Sequence, residues 1–115
     1  ENLPENVNLY VLGYSQGVSV ALRYVAKRKL KCSHLILMSG GIPKELEKNS
    51  FEFLKEKTQV SLIYGLQDEY FNAEYMKPEI DRFNTLFNKS GDIITFDGKH
   101  EIKKELLQNF ITHNP

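Results

Sequence analysis

The stretch Leu9-Tyr10-Val11-Leu12-Gly13-Tyr14-Ser15-Gln16-Gly17-Val18 decides the fold. Leu9 to Leu12 reads as a short strand buried on both faces, because it is a continuous apolar run ended by glycine. Val18, Ala21, Leu22 and Val25 then recur at spacings of three and four, which predicts a helix, and Lys27, Arg28 and Lys29 suit its C-terminal end. Between strand and helix stands Gly13-Tyr14-Ser15-Gln16-Gly17, a G-x-S-x-G sequence. The bare pattern would arise by chance in roughly a few per cent of chains this long. Its place between a strand and a helix is what makes it informative. A turn that tight forces the serine into a strained backbone at a cost of about 1 to 3 kcal/mol. Glycines two before and two after Ser15 are expected to admit neighbouring backbone without a Cβ clash.

Further along, Leu35 to Met38, Val60 to Tyr64 and Ile93 to Phe96 repeat the strand signal. Met76, Ile80, Phe83 and Phe87 carry helical period, as do Ile102, Leu106 and Phe110. A weaker helix is expected over Lys44 to Lys57, where Phe51 and Leu54 give a thin apolar face. Strands alternating with helices predict an α/β fold: a parallel sheet of about four strands covered by helices. Right-handed crossovers then put every strand C-terminus on one edge of the sheet, the edge at which open α/β sheets bind ligands.

The 115 residues suffice for one domain, residues 1–115, and no second. Fifteen basic residues balance fifteen acidic ones and are spread along the chain, so no footprint for nucleic acid or an acidic membrane exists. Apolar runs stop at four residues, far short of the ~20 of a membrane-spanning helix, and no integral membrane segment is expected. With no basic stretch followed by an apolar one at its start, the sequence as given is not expected to carry a secretory leader. Cys32 is the only cysteine. It is read as a small buried filler, and a reducing, cytoplasmic setting is expected.

A serine hydroxyl needs a base on the same sheet edge. Of three histidines, His113 lies in the C-terminal tail and His34 precedes its strand, at the opposite edge from Ser15. His100 follows the last strand through Asp97, Gly98 and Lys99 and therefore emerges on the correct edge. The carboxylate that would fix its tautomer is Asp68, which leaves the third strand through Gly65, Leu66 and Gln67. Glu69 is its stronger rival, and Asp97 is too close to His100 in sequence to turn back easily. A helix or turn N-cap is the plain structural alternative for Asp68. The catalytic assignment is thus Ser15, Asp68 and His100, in the chain order of α/β-hydrolases. The Gln16 amide and the dipole of the following helix are expected to face the oxyanion. Ile42, Pro43, Tyr70 and Phe71 fall on loops at the same edge and are candidates for a substrate pocket.

Gly13 to Gly17, Leu37 to Pro43, Tyr64 to Asp68 and Phe96 to Ile102 together resemble the carboxylesterase and phospholipase family that includes the acyl-protein thioesterases. The resemblance spans almost the whole chain. In that family the elbow reads G-F-S-Q-G-G, the next strand ends in an L-S-G turn with a proline soon after, and the histidine sits in a G-x-G-H segment before a terminal helix. Here Ser15 with Gln16, Ser39 with Gly40 and Pro43, and His100 occupy those places. Val18 replaces a second glycine, Asp97-Gly98-Lys99 replaces the glycine-framed run, and Tyr64-Gly65 stands where a histidine and a glycine are typical. The resemblance implies the C-terminal half of an α/β-hydrolase, with upstream strands and a loop that donates the second oxyanion-hole amide absent. It implies hydrolysis of a carboxylic ester or thioester with a small-molecule or acyl-chain substrate and no metal or organic cofactor. Acyl transfer is a second reading. A third is a non-catalytic fragment or interaction module, and the unpaired Leu9 to Leu12 strand invites self-association.

Overall fold

The computed structural model describes residues 9–54, 58–87 and 91–101, together with 105 and 108. Among the described residues four strands form one parallel sheet in sequential order: β1 (Tyr10–Tyr14), β2 (His34–Met38), β3 (Gln59–Gly65) and β4 (Asp92–Phe96). The register pairs Tyr14 with Met38, Met38 with Ile63, and Gly65 with Phe96, so β1 and β2 end level with each other while β3 and β4 run two residues further at the same edge. Helix α1 (Gly17–Arg28) links β1 to β2, and helix α2 (Ala73–Leu86) links β3 to β4. The expected strands, first helix and central helix all appear, within a residue or two at most boundaries.

Alternation along the strands divides the apolar residues between the two faces of the sheet. Leu35, Leu37, Val60 and Leu62 meet Val18, Leu22 and Val25 of α1 and Met76, Phe83 and Leu86 of α2 in the larger core. Ile36, Met38, Ile63 and Phe96 form a smaller cluster on the opposite face, with Tyr10, Tyr14 and Ile94 against it. α1 stops where Lys29 adopts a left-handed conformation, φ 49°, and Lys27 and Arg28 lie in its last turn. α2 starts at Asn72, whose side chain accepts the Tyr75 N–H at 2.9 Å.

One expectation fails. The helix over Lys44 to Lys57 is replaced by a 3₁₀ turn, Lys48–Phe51, followed by further turns up to Leu54. Phe51 and Leu54, spaced by three, are both buried, and Leu46 and Phe53 pack partly buried against the same core, which a 3₁₀ turn followed by further turns achieves without a longer helix. Glu47 and Ser50 cap each other reciprocally and fix that turn locally. Residues 55–57, the helix expected around Ile102, Leu106 and Phe110, and His113 lie outside the described residues.

Candidate active site

β1 delivers Ser15 onto the common edge in a left-handed backbone conformation, φ 58°. Its N–H donates to the Met38 carbonyl at 2.9 Å, and its own carbonyl accepts the Val18 N–H at 3.1 Å, so the turn is held between β2 and α1. Gln16 follows at φ −63°, ψ −23°, which sets its amide at the N-terminal end of α1. No acidic side chain occupies the first turn of α1, so the positive end of the helix dipole beside Ser15 is not neutralised locally.

The two glycines that frame the serine behave differently. A Cβ on Gly13 would come within 2.7 Å of the Gly17 carbonyl oxygen, whereas one on Gly17 would meet nothing within 4 Å. The expectation of close approach on both sides therefore holds for Gly13 alone. The second tight contact comes instead from Gly40, where a Cβ would lie 2.2 Å from the Ser15 carbonyl oxygen and 2.5 Å from Val18 Cγ2. This contact crosses between two loops, and its clue in the sequence is the Ser39-Gly40-Gly41 turn after β2.

The loops after β3 and β4 are tied to each other. Leu66 N–H donates to the Phe96 carbonyl at 2.9 Å and Gln67 N–H to the Gly98 carbonyl at 2.9 Å. A side chain on Gly65 would strike the Gly98 carbonyl oxygen at 2.4 Å, so the glycine admits this approach. The result is a continuous side-chain relay. His100 Nε2 lies 3.0 Å from Ser15 Oγ, and His100 Nδ1 lies 2.7 Å from Asp68 Oδ2. The carboxylate can only accept, so Nδ1 carries the proton and Nε2 is left free to accept from the serine hydroxyl.

Asp68 is 1 % exposed. Burial pushes its carboxyl up, but the Phe71 amide, the His100 ring and the Tyr70 amide outweigh that and hold it below the ordinary value. The two amides donate to Oδ1 at 2.9 and 2.8 Å. Asp68 therefore also caps the turn leading to α2, and the structural reading of this residue and its contact with His100 coexist. Its rivals Glu69 and Asp97 are both exposed.

Three aromatic rings surround the imidazole. Tyr14 and Phe71 stack on it with centroids 5.1 and 5.5 Å away, and Tyr70 meets it edge-on at 5.6 Å. Tyr70 and Phe71 thus lie at the site where the sequence put them, and Tyr14, inside the elbow itself, joins them. Ile42 does not line an open surface: it is 3 % exposed and packs in the larger core. Pro43 lines a groove of about 310 Å³ beside α2 with Pro78, Asp81 and Leu86, away from Ser15. A larger groove of about 550 Å³, between α1 and the 3₁₀ turn, does not reach the serine either.

His34 opens β2 opposite Tyr10 and stacks on its ring at 4.3 Å, at the far edge of the sheet. Burial pushes the Cys32 thiol up to about 11, which keeps it protonated and unreactive. Among the described residues, no cluster of three or more His, Cys, Asp or Glu side chains could hold a metal ion. Nor is any described helix long and apolar enough to cross a membrane.

The phospholipase/carboxylesterase family model matches residues 3–114. The chain belongs to that family. Its fold is similar to Zea mays acyl-protein thioesterase 2, with a TM-score of 0.73 at 17% identity, covering 98% of this chain and 58% of that one. It is also similar to an uncharacterised protein from Bacillus cereus ATCC 10987, TM-score 0.70, 21% identity, over 93% of this chain and 36% of the other. TT1662 from Thermus thermophilus aligns with a TM-score of 0.63 at 12% identity, over 93% of this chain and 54% of its own. The chain thus spans a little over half of the thioesterase and about a third of the Bacillus protein. No curated protein matches the sequence.

Proposed function

We propose that this protein is a serine hydrolase that cleaves a carboxylic ester or thioester through an acyl-enzyme on Ser15. The observation that carries the reading is the unbroken relay from Ser15 Oγ through His100 to Asp68, at 3.0 and 2.7 Å. Family membership supports the same class of chemistry.

In this mechanism His100 Nε2 takes the hydroxyl proton as Ser15 Oγ attacks the carbonyl carbon. Asp68 stabilises the imidazolium that forms, and its amide donors keep it ionised for that task. The Gln16 N–H and the start of α1 face the oxyanion. His100 then protonates the leaving alcohol or thiol, which departs and leaves the acyl-serine. His100 takes a proton from a water molecule as it attacks the acyl carbon, then returns that proton to Ser15 Oγ as the acyl C–Oγ bond breaks, which releases the acid and restores the serine hydroxyl.

The short chain is one portion of a single α/β-hydrolase domain, with further strands upstream that pair with β1 and a loop that adds a second oxyanion donor. What supports this is that β1 has no partner strand on its outer side among the described residues, that Leu12 on β1 is exposed, and that the related folds are covered only in part. The substrate is a small-molecule or acyl-chain ester, and Tyr70 and Phe71 beside His100 contribute to its binding surface. A cytoplasmic setting suits a chain whose one cysteine is buried and unpaired. The test is hydrolysis of p-nitrophenyl acetate by the complete protein and its Ser15→Ala variant. Turnover that disappears in the variant is expected, and turnover that persists would refute the proposal.

A further inference from the structure

A buried carboxylate that the hydrolytic relay does not use lies on α2. Glu79 is 5 % exposed, and its Oε1 accepts the Ile42 N–H at 2.7 Å. Its Oε2 pairs with Arg82 one turn further along the helix. A charged side chain is rarely kept this far from water unless its hydrogen bonds hold something in place.

What it holds is the loop after β2. That loop begins at Ser39, in a left-handed conformation with φ 54°, and continues through Gly40 and Gly41 to Ile42. At Gly41 an added Cβ would be 3.1 Å from Glu79 Oε1, so the carboxylate presses against the loop as well as bonding to it. At Gly40 the loop meets the Ser15 carbonyl, where a Cβ would have only 2.2 Å. Contact therefore runs from Glu79, through Ile42 and Gly40, to the backbone of Ser15. On the other side, α2 begins at Asn72 immediately after Phe71, whose N–H is bonded to Asp68 at 2.9 Å. The same helix thus stands behind both the carboxylate and the serine of the relay.

We infer that Glu79 is a positioning residue that sets the height of Ser15 over the sheet edge by pinning the Ser39–Ile42 loop beneath it. The inference rests on the proposed role of Ser15. It requires an acceptor oxygen at a fixed reach from α2, and the negative charge is secondary.

Two substitutions separate reach from charge. Glu79→Gln keeps the acceptor and the length, while Glu79→Asp keeps the charge but withdraws the oxygen by about 1.5 Å, one C–C bond. In the complete protein, assayed with p-nitrophenyl acetate well below each variant's melting midpoint, Glu79→Gln should retain kcat within about threefold. Glu79→Asp should lose about 10- to 100-fold in kcat with KM within about twofold, the scale expected when a reacting group is displaced by roughly 1 Å. Wild-type kcat in Glu79→Asp, or a loss that appears in KM alone, would overturn the positioning role while leaving the hydrolase proposal intact. Equal losses in both variants would also overturn it, since charge rather than reach would then matter. Wild-type turnover that survives Ser15→Ala would overturn both.

Discussion

Gly40 lies against the backbone of Ser15 so closely that a Cβ there would stand 2.2 Å from the serine carbonyl oxygen. The second close approach that the elbow needs, beside that at Gly13, therefore comes from the next loop of the sheet edge, 25 residues downstream of Ser15, while Gly17 inside the elbow has open space around it. Opposite outcomes follow for two alanine substitutions. Gly40→Ala should cost about 1 to 3 kcal/mol in stability from overpacking and lower kcat by roughly 10²-fold through displacement of Ser15. Gly17→Ala should be neutral or stabilise by about 0.4 to 1 kcal/mol, since no glycine among the described residues has positive φ. Denaturant midpoints and p-nitrophenyl acetate turnover measured side by side check both.

Asp68 accepts from His100 Nδ1 at 2.7 Å and so selects the tautomer that leaves Nε2 able to accept. Asp68→Asn offers an amide in place of that acceptor and should lower kcat by about 10⁴ in the complete protein, with the fold retained. Glu69→Gln, altering the exposed neighbour, should change turnover by less than about threefold, in line with the small effects of exposed charges. Steady-state kinetics on the two variants distinguish the neighbouring carboxylates.

The depressed titration of Asp68 also makes a statement about stability. In the unfolded chain this carboxyl takes up a proton near the ordinary value of about 3.9, whereas in the folded chain it resists protonation to lower pH. Its contribution to stability is therefore complete above the ordinary value and is lost as pH falls through the folded value. Urea midpoints between pH 6 and pH 2 should fall more steeply for the wild type than for Asp68→Asn, the other carboxyls being common to both. Parallel curves would contradict the assignment of the shift.

The legible part of this protein was what depends on period and punctuation. Apolar runs ended by glycine gave β1 and β3, three-and-four spacing gave α1 and α2, and the crossover rule alone sent Ser15, Asp68 and His100 to one edge and His34 to the other. Contacts between loops were not legible. Nothing local distinguishes Gly40, which touches Ser15, from Gly41, which touches Glu79, and Glu79 on a helix reads as a solvated charge until α2 is packed on the Ser39–Ile42 loop. Ile42, a candidate for a substrate pocket, is packed in the core instead, because an apolar residue on a loop gives no sign of which way the loop folds. The segment from Lys44 forms turns in place of the expected helix because the thin apolar face of Phe51 and Leu54, three apart, suits a 3₁₀ turn as well as an α-helix.

The outer side of β1 has no partner strand among the described residues, and Leu12, on the sheet face that carries Ile36 and Met38, is 43 % exposed. An apolar open edge promotes pairing between chains, and a lysine placed on it opposes that. The 115-residue chain should accordingly show a concentration-dependent mass in sedimentation equilibrium, reduced by Leu12→Lys. A monomer at every concentration would contradict the reading of this edge as a covered surface of the complete domain.

Activation of the Ser15 hydroxyl by His100 can be read directly with a fluorophosphonate, which reacts with an activated serine and leaves a covalent mass. The complete protein should be incubated with the reagent, digested, and its peptides mapped by mass spectrometry, in parallel with Ser15→Ala and His100→Ala. One equivalent of adduct is expected on the peptide carrying Gly13 to Gly17, none in Ser15→Ala, and labelling slowed by at least about 10³-fold in His100→Ala. An unmodified Ser15 in the wild type, or equal labelling without His100, would contradict that activation.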